Sequence, residues 1–265
     1  MKKLANDQSA ISEIVGALML ILIVVIAASS LAVFVNQQQK ILQDNQLIKT
    51  QKQGESLLVT SINIGSNNSK ISSLNLTISS QDQGGSEIDR ISINDHVLRF
   101  FNITRTDEKG NIGYVPFNST SKFLIASQQT VYLNVSMTDF FDRGIQLSTE
   151  DSIVVKLFTA YSNEFDKTFY APSAIININT ESQWNGTARN YTPFLILDGS
   201  GSDQAGDSSI AKWNWTIYDG VTNLTEHGRK VRFDPYSTAE TKVNITLTVE
   251  NTNGMIGTAK TTYYI

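Results

Sequence analysis

Two periodicities divide this chain. From Ile14 to Val35 it reads IVGALMLILIVVIAASSLAVFV, 22 residues without a charge. At ~1.5 Å rise per residue this run makes a helix of roughly 33 Å, long enough for a bilayer core of ~30 Å. Its length and all-round apolarity set it apart from the one-sided core helix of a soluble domain. A secretory signal peptide has a shorter apolar region, ~7–15 residues, ending at small residues. Ala27, Ala28 and Ser29 offer such residues, but the apolar run continues through Leu31 to Val35. Residues 36–53, NQQQKILQDNQLIKTQKQ, contain no Gly or Pro and favour helix. Phe34, Ile41, Leu42, Asn45 and Ile48 recur there at three-to-four-residue spacing, and Gly54 ends the pattern. The pattern predicts one helix over residues 11–53, roughly 64 Å long at ~1.5 Å per residue. Its outer part reads either as a solvated stalk or as a seam for neighbouring copies.

From Ser56 the period becomes two. LLVTSINIG (57–65), KISSLNLTIS (70–79), TVYLNVSM (130–137) and SIVVKLF (152–158) read as strands, bounded by GSNNS (65–69), QGGSE (83–87) and DEKGN (107–111). A boundary falls at Tyr170-Ala171-Pro172-Ser173. Beyond it lie AIININT (174–180), PFLILDG (193–199), KWNWTIY (212–218), KVRF (230–233), KVNITLTVE (242–250) and TAKTTYYI (258–265). The fold class predicted is a long N-terminal hydrophobic helix plus an all-β exterior of two β-sandwiches. The division is a leader at 1–10, the helix at 11–53, a head at 56–170 and a second sandwich at 172–265.

Composition narrows the function. The chain has 265 residues, no cysteine, two histidines (His96 and His227) and a formal charge of −4. No disulfide, thiolate nucleophile or zinc–thiolate site is possible. Neither a Ser-His-Asp arrangement nor a P-loop appears, so the reading is not an enzyme and implies no cofactor. An acidic chain without a basic stripe implies no nucleic-acid partner. Lys2 and Lys3 precede the apolar segment and the next positive residue is Lys40, which puts the N-terminus inside and everything after Asn36 outside.

Ser12-Glu13-Ile14-Val15-Gly16, opening a hydrophobic helix behind a short polar leader, resembles the N-terminus of archaeal type IV pilins and archaellins. The resemblance implies cleavage ahead of the helix, here between Ala10 and Ile11, by a prepilin-type leader peptidase. Glu13 stands where the family pattern has proline, and the residues ahead of Ala10 are the uncharged Gln8 and Ser9. LNLTISSQDQGGSEIDRISI (74–93) is similar to a phrase of the family's head sandwiches. LDGSGSDQAGDSSIAKWNW (197–215), Trp215-Thr216-Ile217-Tyr218-Asp219-Gly220 and VNITLTVENTNG (243–254) resemble a PKD-type, immunoglobulin-like domain. Ile217 and Tyr218 replace that family's usual Phe-Gly.

Several residues invite chemistry. A carboxylate at a membrane-helix edge is costly unless paired or hydrated. Glu13 is therefore a candidate assembly residue, pairing with the new α-amine of a neighbouring copy, or else a headgroup-level residue without a partner. Asp198, Asp203 and Asp207, with Asp219, offer oxygen ligands that suit calcium, or they are solvated turn aspartates. Trp213 and Trp215 share a strand face, as core or as a sugar-stacking platform. Sequons begin at Asn67, Asn75, Asn102, Asn118, Asn134, Asn185, Asn190, Asn214, Asn223 and Asn244, all beyond the apolar segment.

The expectation is a structural subunit of an archaeal type IV pilus-like surface filament, serving assembly and adhesion. Its helix forms the filament core and its β domains face outward. Its partners would be copies of itself through the helix, the membrane before assembly, the leader peptidase and the pilus assembly machinery, with surface glycans or proteins as adhesion targets. The alternative is a monomeric single-span surface protein whose PKD-type module binds glycan or protein. Discriminating features are the mature N-terminus and the fate of the outer helix stripe.

Overall fold

The computed structural model describes residues 2–81, 84–106, 112–118, 122–187, 189–234 and 242–265. The helix α1 (Lys2–Gly54) is a single uninterrupted element. It starts before the expected residue 11 because no Gly or Pro interrupts residues 2–15, so residues 2–10 continue the same helix. From Ser12 to Gly54 it is long and apolar enough to cross a membrane, and every side chain is exposed. Within the helix Ser29 Oγ donates to Val25 O (2.7 Å) and Thr50 Oγ1 to Gln46 O (2.9 Å), so both hydroxyls are satisfied one turn back.

Glu55–Ile265 is a separate compact unit. In its first half come β1 (Leu57–Asn67), β2 (Lys70–Ser80), β3 (Ser86–Ile93), β4 (His96–Val97), β5 (Phe100–Thr106), β6 (Ile112–Asn118), β7 (Phe123–Ile125) and β8 (Thr130–Ser136). A single turn of helix, α2 (Thr138–Asp142), leads to β9 (Ile153–Thr159) and β10 (Glu164–Phe169). One sheet has the order β1-β2-β8-β5-β6; the other is β10-β9-β3-β4, with β7 on β3. The phrase 74–93 thus contributes strands to opposite sheets, turning between layers at Gly85 (φ +78°), where a Cβ would lie 2.9 Å from Ile125 O.

In β1 the buried set passes from Leu57 and Val59 to Ile62 and Ile64. A bulge between Val59 and Ser61 absorbs the extra residue and keeps both pairs facing the core. That core joins Ile71, Leu74, Leu76 and Ile78 to Ile91, Ile93, Val155 and Leu157 across the two layers.

The second half holds β11 (Asn177–Asn185), β12 (Asn190–Asp198), β13 (Ile210–Tyr218), β14 (Asn223–His227), β15 (Lys230–Phe233), β16 (Lys242–Asn251) and β17 (Ile256–Tyr264). Sheets β11-β12-β15 and β14-β13-β16-β17 enclose Leu195, Leu197, Trp215, Ile217, Val243, Ile245, Leu247 and Val249. The expected strand at 174–180 begins three residues later, because the Ile175 N–H donates to Ser202 Oγ and Ser173 bridges to Asp203.

The two sandwiches are joined at the β16–β17 turn. Met255 is fully buried in the first sandwich's core. Ile64 N–H donates to Asn253 O (3.0 Å) and Ile256 N–H to Thr149 O (2.9 Å). Buried Asn251 uses its whole amide there. Its Nδ2 donates to Tyr170 O (3.1 Å) and Ser208 Oγ (3.0 Å), and its Oδ1 accepts from the N–H of Asn253 (3.0 Å) and of Met255 (2.9 Å). Gly254 (φ +81°) allows this docking, since a Cβ would lie 2.7 Å from Ile64 O.

Candidate functional site

The helix carries an extended exposed apolar surface. Ile14 to Val35 presents apolar side chains on all sides, with Leu18, Leu20, Ile23 and Leu31 each more than half exposed. Beyond that span, Ile41, Leu42, Leu47 and Ile48 remain 50–59% exposed. The backbone around Ala10 and Ile11 is helical, and Glu13 is exposed on the same helix three residues past Ala10. An apolar helix followed by a mostly β body is compatible with a pilin-like architecture.

The aspartates are not gathered around one point. Asp198 ends β12, where Lys230 Nζ reaches its Oδ2 (2.7 Å) and the Ser200 N–H donates to its Oδ1 (2.8 Å). The Lys230 ammonium first, and the Ser200 hydrogen bonds next, hold its carboxyl down at about 2. Asp203 Oδ1 accepts from the Ala205 N–H, and Asp207 pairs with Lys167, which lowers its pKa. Asp219 lies at the opposite end of β13 from these loops. It is buried and closes its own turn, with Oδ1 accepting from the N–H groups of Val221 (3.0 Å) and Thr222 (2.7 Å). The nine-residue strand separates residues that lie close in sequence. Among the described residues no three His, Cys, Asp or Glu side chains form a group able to hold a metal ion.

Trp215 is fully buried and its Nε1 donates to Gly228 O (2.8 Å), while half-buried Trp213 donates to Gly199 O (3.1 Å). Gly199 explains the spacing of this motif. A Cβ there would lie 2.9 Å from Trp213 Cδ1, 3.0 Å from Leu247 Cδ2 and 3.2 Å from Trp215 Cζ2. Sequence reading overlooked a second aromatic pair, Trp184 and Tyr191. They face each other across β11 and β12 with centroids 5.2 Å apart, 54% and 67% exposed. Continuing the inward face of Leu195 and Leu197 outward along the hairpin would have marked them.

The sequon asparagines fall into rows. Asn75, Asn134 and Asn102 are cross-strand neighbours on β2, β8 and β5, and Asn134 Nδ2 donates to Asn75 Oδ1 (2.7 Å). The hydroxyl residues two places on, Thr77, Ser136 and Thr104, share that outward face. On the second sandwich Asn223 and Asn244 flank Tyr218 in one row, and Asn214 follows on β13, where its Oδ1 lies 2.7 Å from His227 Nδ1. Asn67 and Asn118 close strands β1 and β6, while Asn185 and Asn190 face each other at the β11–β12 hairpin. The rest of the Asn118 sequon, with the breaker at 107–111, lies outside the described residues.

Compared with known proteins, the chain matches no protein-family model and no curated protein sequence.

Proposed function

We propose that this chain is a structural subunit of an archaeal type IV pilus-like surface filament. Its helix packs against the helices of other copies and its β body faces outward. One observation carries the reading. The apolar exposure of α1 does not stop where a bilayer core would end. Residues 36–54 extend the helix ~28 Å further at ~1.5 Å per residue, with Ile41, Leu42, Leu47 and Ile48 all exposed. In a monomeric single-span protein these side chains stand in water; between packed copies they are covered. Gly16, Ala17, Ala27, Ala28 and Ala32 supply small surfaces for close helix approach within the apolar segment. Lipid covers the helix before assembly, and cleavage after Ala10 supplies the α-amine with which Glu13 of a neighbour pairs.

The test compares membrane-inserted protein with sheared surface filaments in an archaeal host. Ile41→Gln/Ile48→Gln and, separately, Glu13→Gln should leave membrane levels unchanged and deplete filaments. A mature N-terminus at Ile11 should be found in both fractions of the parent. Normal filaments from the double variant would sink the seam, and absence of filaments from the parent would turn the reading to the monomeric surface protein. That second reading has its own support in the exposed Trp184–Tyr191 pair.

A further inference from the structure

The second sandwich has a concavity of about 330 Å³ at the end where β12 leaves the sheet, lined by Ser200, Asp203, Gln204, Ser209, Trp213 and Arg229 among others. Its size is that of a small-ligand site. Its walls are fixed. Gly199 N–H donates to Arg229 O (2.7 Å), the Ser173 and Asp203 backbones exchange two bonds of 2.9 Å, and Trp213 is pinned through Nε1.

Arg229 carries the chemistry. Its guanidinium lies 5.6 Å from the Trp213 ring centroid, and among the described residues no carboxylate pairs with it. Its neighbours Lys230 and Arg232 are both neutralised, by Asp198 and Asp234. The concavity thus combines an unneutralised planar cation, an indole and a carboxylate. Asp203 uses one oxygen to accept from the Ala205 N–H and, among the described residues, pairs with no base. A guanidinium selects a carboxylate, an indole selects an apolar ring face, and a carboxylate accepts from vicinal hydroxyls. A hexuronate presents all three groups on a single ring.

We propose that this concavity binds a hexuronate residue, its carboxylate on Arg229, its ring against Trp213 and its hydroxyls toward Asp203 and the adjoining serines. The site stands whether or not the chain polymerises. The experiment titrates the full chain in detergent micelles with glucuronate, glucose and acetate, read by saturation-transfer NMR and calorimetry. Glucuronate should bind, glucose and acetate should bind at least about tenfold more weakly, and Arg229→Gln should weaken glucuronate about tenfold, the loss expected of one charge-assisted contact. Arg229→Gln keeps the main-chain bond to Gly199, so its melting temperature should match the parent and separates lost binding from lost folding. Asp203→Asn should reduce glucuronate affinity while leaving acetate unchanged. A tri-uronate that binds more tightly than glucuronate assigns the site to a polysaccharide end, and equal affinity assigns it to the free sugar. Acetate binding as tightly as glucuronate, glucose binding equally, or Arg229→Gln binding like the parent would each overturn the proposal.

Discussion

Trp215 and Asp198 show how differently two residues of one motif hold the second sandwich. Trp215 is wholly inside, and its indole N–H is spent on Gly228 O. Truncation to Ala costs the transfer energy of a large aromatic plus a cavity, ~3–5 kcal/mol. In a fragment spanning Glu55–Ile265, Trp215→Ala should lower the melting temperature sharply; an unchanged melt with lost sugar binding would make it a surface platform instead. Asp198 contributes through charge. Its folded pKa of about 2 lies below the ordinary 3.8, so its carboxylate stabilises the fold in full above about pH 4. That contribution is lost as pH falls from about 4 to 2. Lys230→Ala should therefore destabilise at neutral pH, and the gap from the parent should close through that window. Denaturant midpoints measured at pH 6, 4, 3 and 2 check it, and a gap that persists at pH 2 would mean Lys230 acts through packing. The tryptophan's burial was legible from alternation along KWNWTIY. The lysine partner was not, because the β12–β15 register that brings Lys230 beside Asp198 is set by tertiary pairing.

At the scale of elements, alternation in the sequence located most strands to within a few residues, and the bulge in β1 left its trace in the shift from Leu57 and Val59 to Ile62 and Ile64. Sheet order left no such trace. Asn75, Asn102 and Asn134 are far apart in sequence, and only the order β2-β8-β5 makes them adjacent. Directly opposed side chains have Cβ atoms ~4.5–5.5 Å apart, too close for three N-linked sugars abreast. If the sequons carry N-linked sugar, a molecule modified at Asn134 should lack sugar at one or both neighbours, whereas Asn67, at a strand end, should be modified independently. Intact-protein and glycopeptide mass spectrometry read the combinations. Full simultaneous occupancy of the three would show that the row opens or that this sheet pairing is wrong.

For the whole molecule, the boundary at 170–173 reads in the sequence as the division between two sandwiches, and both lie within one compact unit. The reason lies far along the sequence, in Asn251-Thr252-Asn253-Gly254-Met255, which reads as an ordinary turn. Met255 completes the first core while Asn251 ties the turn to Tyr170 and Ser208. The unit also begins earlier than alternation indicates. Glu55 is buried, its Oε2 accepting from Thr159 Oγ1 (2.6 Å) and Asn163 Nδ2 (2.7 Å). Two consequences follow for the β body without its helix. A fragment from Glu55 should be soluble, β-rich and melt in one transition, and one from Ser56 should be less stable because Thr159 and Asn163 lose their acceptor. Residues 172–265 alone expose Met255 and leave Asn251 without Tyr170 O, so they should melt below the joined body. Asn251→Ala in the joined body strands several buried donors and acceptors, at ~1–3 kcal/mol for each group left unsatisfied. It should split the single calorimetric transition into two, the first sandwich also losing the hold on Met255. A single sharp transition in Asn251→Ala, or identical melting of 172–265 alone and within the joined body, would show that the sandwiches fold independently and that the turn only rests between them.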